Sequence, residues 1–81
     1  MDKVVFDIVT HLGVISERTD LEGKRRSKEV NMVAWNNREP KVDIREWNSD
    51  HSRMGRGITL TAGEEEMLCG ILHSHMQERS K

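Results

Sequence analysis

Lys41-Val42-Asp43-Ile44-Arg45-Glu46-Trp47 alternates apolar and polar side chains at period two, the pattern of a strand with two unlike faces. Val42 and Ile44 point one way, and Asp43, Arg45 and Trp47 point the other. Immediately before it, Asn36-Asn37-Arg38-Glu39-Pro40 is turn chemistry, because Asn tolerates unusual backbone angles and Pro cannot donate to a ladder. Further back, Lys28 to Trp35 alternates again, with Val30, Met32 and Ala34 on one side and Asn31, Val33 and Trp35 on the other. Glu17 to Ser27 is polar, charged and glycine-containing, which predicts a loop. Val4 to Ile15 is rich in β-branched residues without helical period, so it predicts a first strand with Phe6, Ile8 and Leu12 on one face and a place to bend at Gly13.

On the other side, Asn48 to Gly57 reads as a second loop and Ile58-Thr59-Leu60 as a short fourth strand. The period then changes. Met67, Leu68, Ile71, Leu72, His75 and Met76 recur at helical spacing and form one apolar stripe. Thr61-Ala62-Gly63-Glu64 fits a capping box, and Glu64, Glu65 and Glu66 suit the positive end of the helix dipole. Gly70 in mid-helix is explained either by a close approach of another element or by simple tolerance. The expected fold is α+β: ββββα, a four-stranded curved antiparallel sheet with one C-terminal helix.

Eighty-one residues make a single domain, residues 1–81, and a chain so short buries too little surface to be robust alone. Disulfides, a metal or a partner subunit usually support such folds. Cys69 is the sole cysteine, so an intramolecular disulfide is excluded, and a lone thiol suits a reducing interior. Cys69 and His73 have the i, i+4 spacing of paired ligands, but a closed zinc site needs four, so no metal is expected. A homodimer is therefore the favoured support, with Met67, Leu68, Ile71 and Leu72 as its contacts. No apolar run approaches the roughly 20 residues of a membrane span. Met1-Asp2-Lys3 does not lead into the apolar core of a signal peptide, so a soluble cytoplasmic protein is expected.

The formal charge of −1 conceals a polarised chain. Lys24 to Arg56 holds nine basic residues against five acidic ones, a net +4, while the remainder carries four basic and nine acidic ones, a net −5. Such a chain can present a basic face while staying near neutral overall. If Val42, Ile44, Ile58 and Leu60 meet the helix, the opposite face carries Trp35, Trp47 and Arg45, flanked by Arg38, Lys41, Arg53 and Arg56. Bases stack on aromatic planes while arginines meet phosphates. Periodicity alone leaves open the plainer reading, in which both tryptophans are core residues.

Val42-Asp43-Ile44-Arg45-Glu46-Trp47, followed after a short loop by Met54-Gly55-Arg56-Gly57-Ile58-Thr59-Leu60, resembles the transcriptional positive cofactor 4 family. Trp35-Asn36-Asn37-Arg38-Glu39-Pro40-Lys41 is similar to its small bacterial YdbC-type branch. The resemblance implies a homodimer of ββββα subunits that binds single-stranded DNA along its curved sheets with little sequence preference. It implies Trp35, Arg45, Trp47 and Arg56 as contacts, with Arg38, Lys41 and Arg53 beside them. It assigns nothing to the basic run Lys24-Arg25-Arg26-Ser27-Lys28.

RNA as the ligand, or a peptide docked on the tryptophan face, remains an alternative on the residues alone. Catalysis is not expected: Asp43 and Glu46 lie on opposite faces of their strand, and no nucleophile, base and orienting group come together. Gly55-x-Gly57 precedes a strand, whereas a phosphate-cradling loop leads into a helix. No cofactor is expected. His11 and His51 read as ordinary polar positions.

Overall fold

Strand β1 (Phe6–Thr19) and strand β2 (Arg25–Trp35) form a long hairpin in the computed structural model, which describes residues 4–80. Strand β3 (Lys41–Asn48), strand β4 (Met54–Leu60) and helix α1 (Ala62–Arg79) follow. All four strands lie in one antiparallel sheet in the order β1-β2-β3-β4, so the expected ββββα architecture is present. Among the described residues no helix is long and apolar enough to cross a membrane. Met1-Asp2-Lys3, read above as lacking a signal-peptide start, lies outside the described residues.

The stretch predicted as a loop from Glu17 to Ser27 is largely strand. Only five residues separate β1 from β2, and the flanking polar residues pair in register, Glu17 with Ser27 and Thr19 with Arg25. Asp20 organises the turn: its Oδ1 accepts from the Glu22 and Lys24 amides at 3.0 and 2.9 Å, and Gly23 takes a φ of 83°. Those amides hold the Asp20 carboxyl below the usual carboxylate range. Arg25 meets Glu17 at 2.9 Å across the ribbon. Polar composition misled the loop assignment because the ribbon projects beyond the apolar core and is wet on both sides.

Strand β1 is irregular. Its register against β2 slips between Ile8 and Thr10, between His11 and Gly13, and between Val14 and Ser16. Each slip inserts one unpaired residue, namely Val9, Leu12 and Ile15, and each bulge bends the strand and increases its twist. All three inserted residues are more than half exposed. Leu12 therefore does not share a buried face with Phe6 and Ile8 as simple alternation predicts.

The bend curls β1 toward the tryptophan face. Phe6 packs on Trp35 and Trp47 with ring centroids 6.0 and 5.2 Å apart. Trp47 and Val33 are 0% exposed. The expectation that Trp47 stands on an open face is thus corrected, since the curled sheet folds over it and makes that face the interior. Between β2 and β3, Asn36 and Asn37 both take positive φ and the Arg38 amide donates to the Trp35 carbonyl, the signature of a type I′ turn. The second loop is shorter than expected, because β4 already begins at Met54 and not at Ile58.

Helix α1 starts on the predicted capping box: the Glu64 amide donates to Thr61 Oγ1 at 3.2 Å and the Thr61 amide to Glu64 Oε1 at 2.8 Å. The helix touches only β3 and β4 and has no buried residue. Val42 and Leu60 are buried on the helix side of the sheet, but Ile58 is half exposed. Among the described residues nothing approaches the position a Cβ of Gly70 would occupy, so no contact among them requires that glycine.

Because Trp47 has no exposed surface, Trp47→Ala should lower folding stability by about 3–5 kcal/mol through the cavity it leaves. Urea denaturation of wild type and variant measures it. A loss under about 1 kcal/mol would place the ring outside the core.

Candidate nucleic-acid interface

Pairing of β3 with its neighbours puts Asp43 between Asn31 and Thr59, and Arg45 between Glu29 and Gly57. Asp43 is 0% exposed, so its charge requires a partner. Arg45, two residues along the same strand face, supplies it: Nε lies 2.6 Å from Oδ1 and Nη2 lies 2.7 Å from Oδ2. Thr59 Oγ1 donates to Oδ2 at 2.8 Å. The fork-shaped pairing fixes the guanidinium plane, and its Cζ sits 4.7 Å from the centre of the Trp35 ring. Arg45 was expected to contact phosphate. In the structure its charge is committed to Asp43, and it acts as the support under Trp35.

Gly57 makes this possible. A Cβ there would overlap the Arg45 Cβ and crowd the Ile44 carbonyl, so the side chain of Arg45 could not lie across the strand. The Gly55-x-Gly57 pair that fits no phosphate loop thus has a packing role at Gly57.

Beside Trp35 an open groove of about 410 Å³ is lined by Arg38, Lys41, Arg45, Met54 and Thr59, among others. Arg38 and Lys41 are exposed and form no ion pair among the described residues. Arg53 and Arg56, in and beside the β3–β4 connection, are also exposed and have no ion pair among the described residues. Trp35 is half-buried, and of the two tryptophans it is the one with exposed surface. The structure thus gathers Trp35, Arg38 and Lys41 around one groove and leaves Trp47 in the floor of the fold.

The basic run from Lys24 to Lys28 is mostly neutralised. Lys24 meets Glu22 at 3.6 Å, Arg25 meets Glu17, and Arg26 meets Asp20 at 3.4 Å. Arg18 forms a two-pronged pair with Glu46 at 2.7 and 2.8 Å, tying β1 to β3 across β2. That pair raises the Arg18 pKa and lowers that of Glu46.

A polar cluster that the sequence reading missed adjoins the Asp43–Arg45 pair on the same face, with Glu29 opposite Arg45 and Asn31 opposite Asp43. Glu29 is only 3% exposed. It accepts from Ser27 Oγ, from Asn31 Nδ2 at 3.2 Å and from His51 Nε2 at 2.9 Å. Asn31 Oδ1 in turn lies 2.7 Å from His11 Nδ1. Burial alone pushes the Glu29 carboxyl up, but the bonds from Ser27, His51 and Asn31 prevail and hold it below its ordinary value. A signal was available: alternation puts Glu29 on the face of Asn31, Val33 and Trp35, where a carboxylate needs donors. His51, with a φ of 60°, comes from a loop whose course the sequence does not give.

A family model, Transcriptional Coactivator p15 (PC4), matches residues 23–71, which cover β2, β3, β4 and the first half of α1. The chain is also 36% identical over 73 residues to an uncharacterised protein of Treponema pallidum (strain Nichols), spanning 90% of this chain and 81% of that protein.

Two outcomes test the site's construction. Gly57→Ala should destabilise the fold by about 1–3 kcal/mol through overpacking against Arg45, read by thermal melting. For Glu29 the folded pKa is depressed, so its contribution is complete above the ordinary value of 4.5 and disappears as pH falls through the folded value. Glu29→Gln should therefore be less stable at neutral pH yet lose less stability than wild type on acidification below about 4.5. Equal acid sensitivity in the two proteins would show that other carboxylates control the acid transition.

Proposed function

The chain belongs to the Transcriptional Coactivator p15 (PC4) family, known for single-stranded DNA binding and transcription coactivation, and from that premise we propose that it binds single-stranded DNA with little sequence preference along its aromatic face. The observation that carries the reading is the groove at Trp35, where an aromatic ring backed by Arg45 lies beside the unpaired cations Arg38 and Lys41. Phosphates meet Arg38, Lys41, Arg53 and Arg56, and a base stacks on the exposed part of Trp35. Arg45 supports the Trp35 ring in the groove, and Trp47 belongs to the core. Its cellular setting is the cytoplasm, where the thiol of Cys69 stays reduced.

The functional unit is a homodimer. The subunit exposes 6607 Å², whereas a folded monomer of its mass exposes about 5,000 Å². Its radius of gyration is 14.7 Å, against about 12 Å for a compact chain of this length. Large apolar side chains contribute to that exposed surface. Met67, Ile71, Leu72 and Met76 are 46–68% exposed along α1, and Leu68 is half-buried. A standard interface covers about 800 Å² per partner, well within that excess.

Oligo(dT) titration followed by tryptophan fluorescence tests the binding, with duplex DNA and RNA as comparisons. Stacking should quench the signal, and Trp35→Ala should weaken binding by about 1–3 kcal/mol. The salt dependence of log affinity should have a slope of about 0.7 per phosphate contact, reduced by that amount in Lys41→Ala. Affinity indifferent to salt, or no binding to any single strand, would overturn the reading. Sedimentation should show a dimer at micromolar concentration, and Leu72→Asp should give unfolded or aggregated protein. A well-folded wild-type monomer would refute the dimer.

A further inference from the structure

We propose that the far end of the aromatic face holds a second nucleic-acid subsite, in which His11 and His51 grip a phosphate of the bound strand once they are protonated, so that binding takes up protons. The inference rests on the nucleic-acid reading above and adds a site and a linkage to it.

The subsite is a cavity of about 460 Å³ whose walls include His11, Glu29, Trp47 and His51. The hydrogen bonds fix the protonation pattern of both imidazoles. Ionised Glu29 can only accept, so His51 Nε2, 2.9 and 3.1 Å from its two oxygens, must carry a proton. Asn31 uses its Nδ2 to donate to Glu29, so its Oδ1 accepts and His11 Nδ1 must also carry a proton. The remaining nitrogens, His11 Nε2 and His51 Nδ1, have no partner among the described residues. Side chains 52% and 40% exposed leave both rings open to the cavity. In the neutral rings those nitrogens carry lone pairs, which repel a phosphate oxygen. Protonation turns both into charged donors without disturbing the bonds beneath.

The charges around the cavity make the change decisive. From β1 come His11 and Glu17, from β2 Arg25, Arg26 and Glu29, and from the β3–β4 loop His51; β3 contributes Trp47 and Asn48, which carry no charge. Arg25 is cancelled by Glu17 at 2.9 Å and Arg26 by Asp20 at 3.4 Å. Asp50, next to His51, is turned into its own loop by bonds from Ser52. Glu29 is the lining carboxylate without an arginine partner among the described residues. With neutral imidazoles the lining sums to zero, Arg25 and Arg26 against Glu17 and Glu29, and offers a phosphate no net attraction. Two protons make it net positive, and imidazole is the side chain that titrates near neutrality. His51 is also held in place, its ring 5.6 Å from that of Trp47 and its amide bonded to the Asn48 carbonyl.

The test is oligo(dT) affinity at constant ionic strength from about pH 8 to about pH 6, an interval in which thymine does not titrate and imidazole does. Wild type should tighten about tenfold or more across the interval, while the His11→Gln, His51→Gln double variant should stay within about twofold. Each single variant should lose part of the effect, which guards against a double variant that folds poorly. Calorimetric titration of wild type in two buffers of different ionisation enthalpy should show proton uptake on binding, and needs no variant. Binding with no proton uptake, or with equal pH dependence in wild type and variants, overturns the subsite and leaves the groove at Trp35 standing. Failure to bind oligo(dT) at every pH overturns both.

Discussion

Phe6 rests on both tryptophans, and that contact exists because β1 bends three times against β2. A flat four-stranded sheet has no interior of its own and must borrow one from a second layer. Here the bulges curl the sheet until its own edge strand covers the opposite strands. The helix is thereby released from that task, and it is correspondingly bare. Apolar side chains left outside by the bulges, Val9, Leu12 and Ile15, are the reverse side of the same geometry.

Curling the polar-bearing face inward creates the next requirement. Glu29, Asn31 and Asp43 become buried, and each must find partners on the page of sheet it shares. Asp43 takes Arg45 and Thr59, whereas Glu29 takes Ser27, Asn31 and His51. The two clusters lie side by side on adjacent strands, Asn31 opposite Asp43 and Glu29 opposite Arg45, with Trp47 one step further along opposite Ser27. Each holds a functional candidate by its underside: Arg45 supports Trp35, and the Glu29–Asn31 pair orients the two imidazoles.

The distribution of positive charge follows the same division. Arg18, Arg25, Arg26 and Arg45 are each matched to a carboxylate and hold the architecture. Arg38, Lys41, Arg53 and Arg56 are exposed and unmatched among the described residues, so they confer the field that an anionic strand would meet. A net charge of −1 is compatible with such a surface because so many of the chain's ions cancel in pairs.

Strand alternation from Lys41 to Trp47, the turn at Asn36-Asn37 and the capping box at Thr61 were legible in the sequence, since each depends on residues within a few positions of one another. So were the family resemblance and the shared face of Trp35, Arg45 and Trp47. The sequence by itself thus determined the element order and the two-faced strands. Tertiary structure decided which face became the interior, because curvature arises from bulges in β1 that are set by its cross-strand register with β2 and not by the residues beside them. It also decided that Arg45 is a support, that Trp47 is core, and that His11 and His51 converge on Glu29 across sequence separations of 18 and 22 residues. Burial and charge pairing are properties of neighbours in space, and local periodicity carries no record of them.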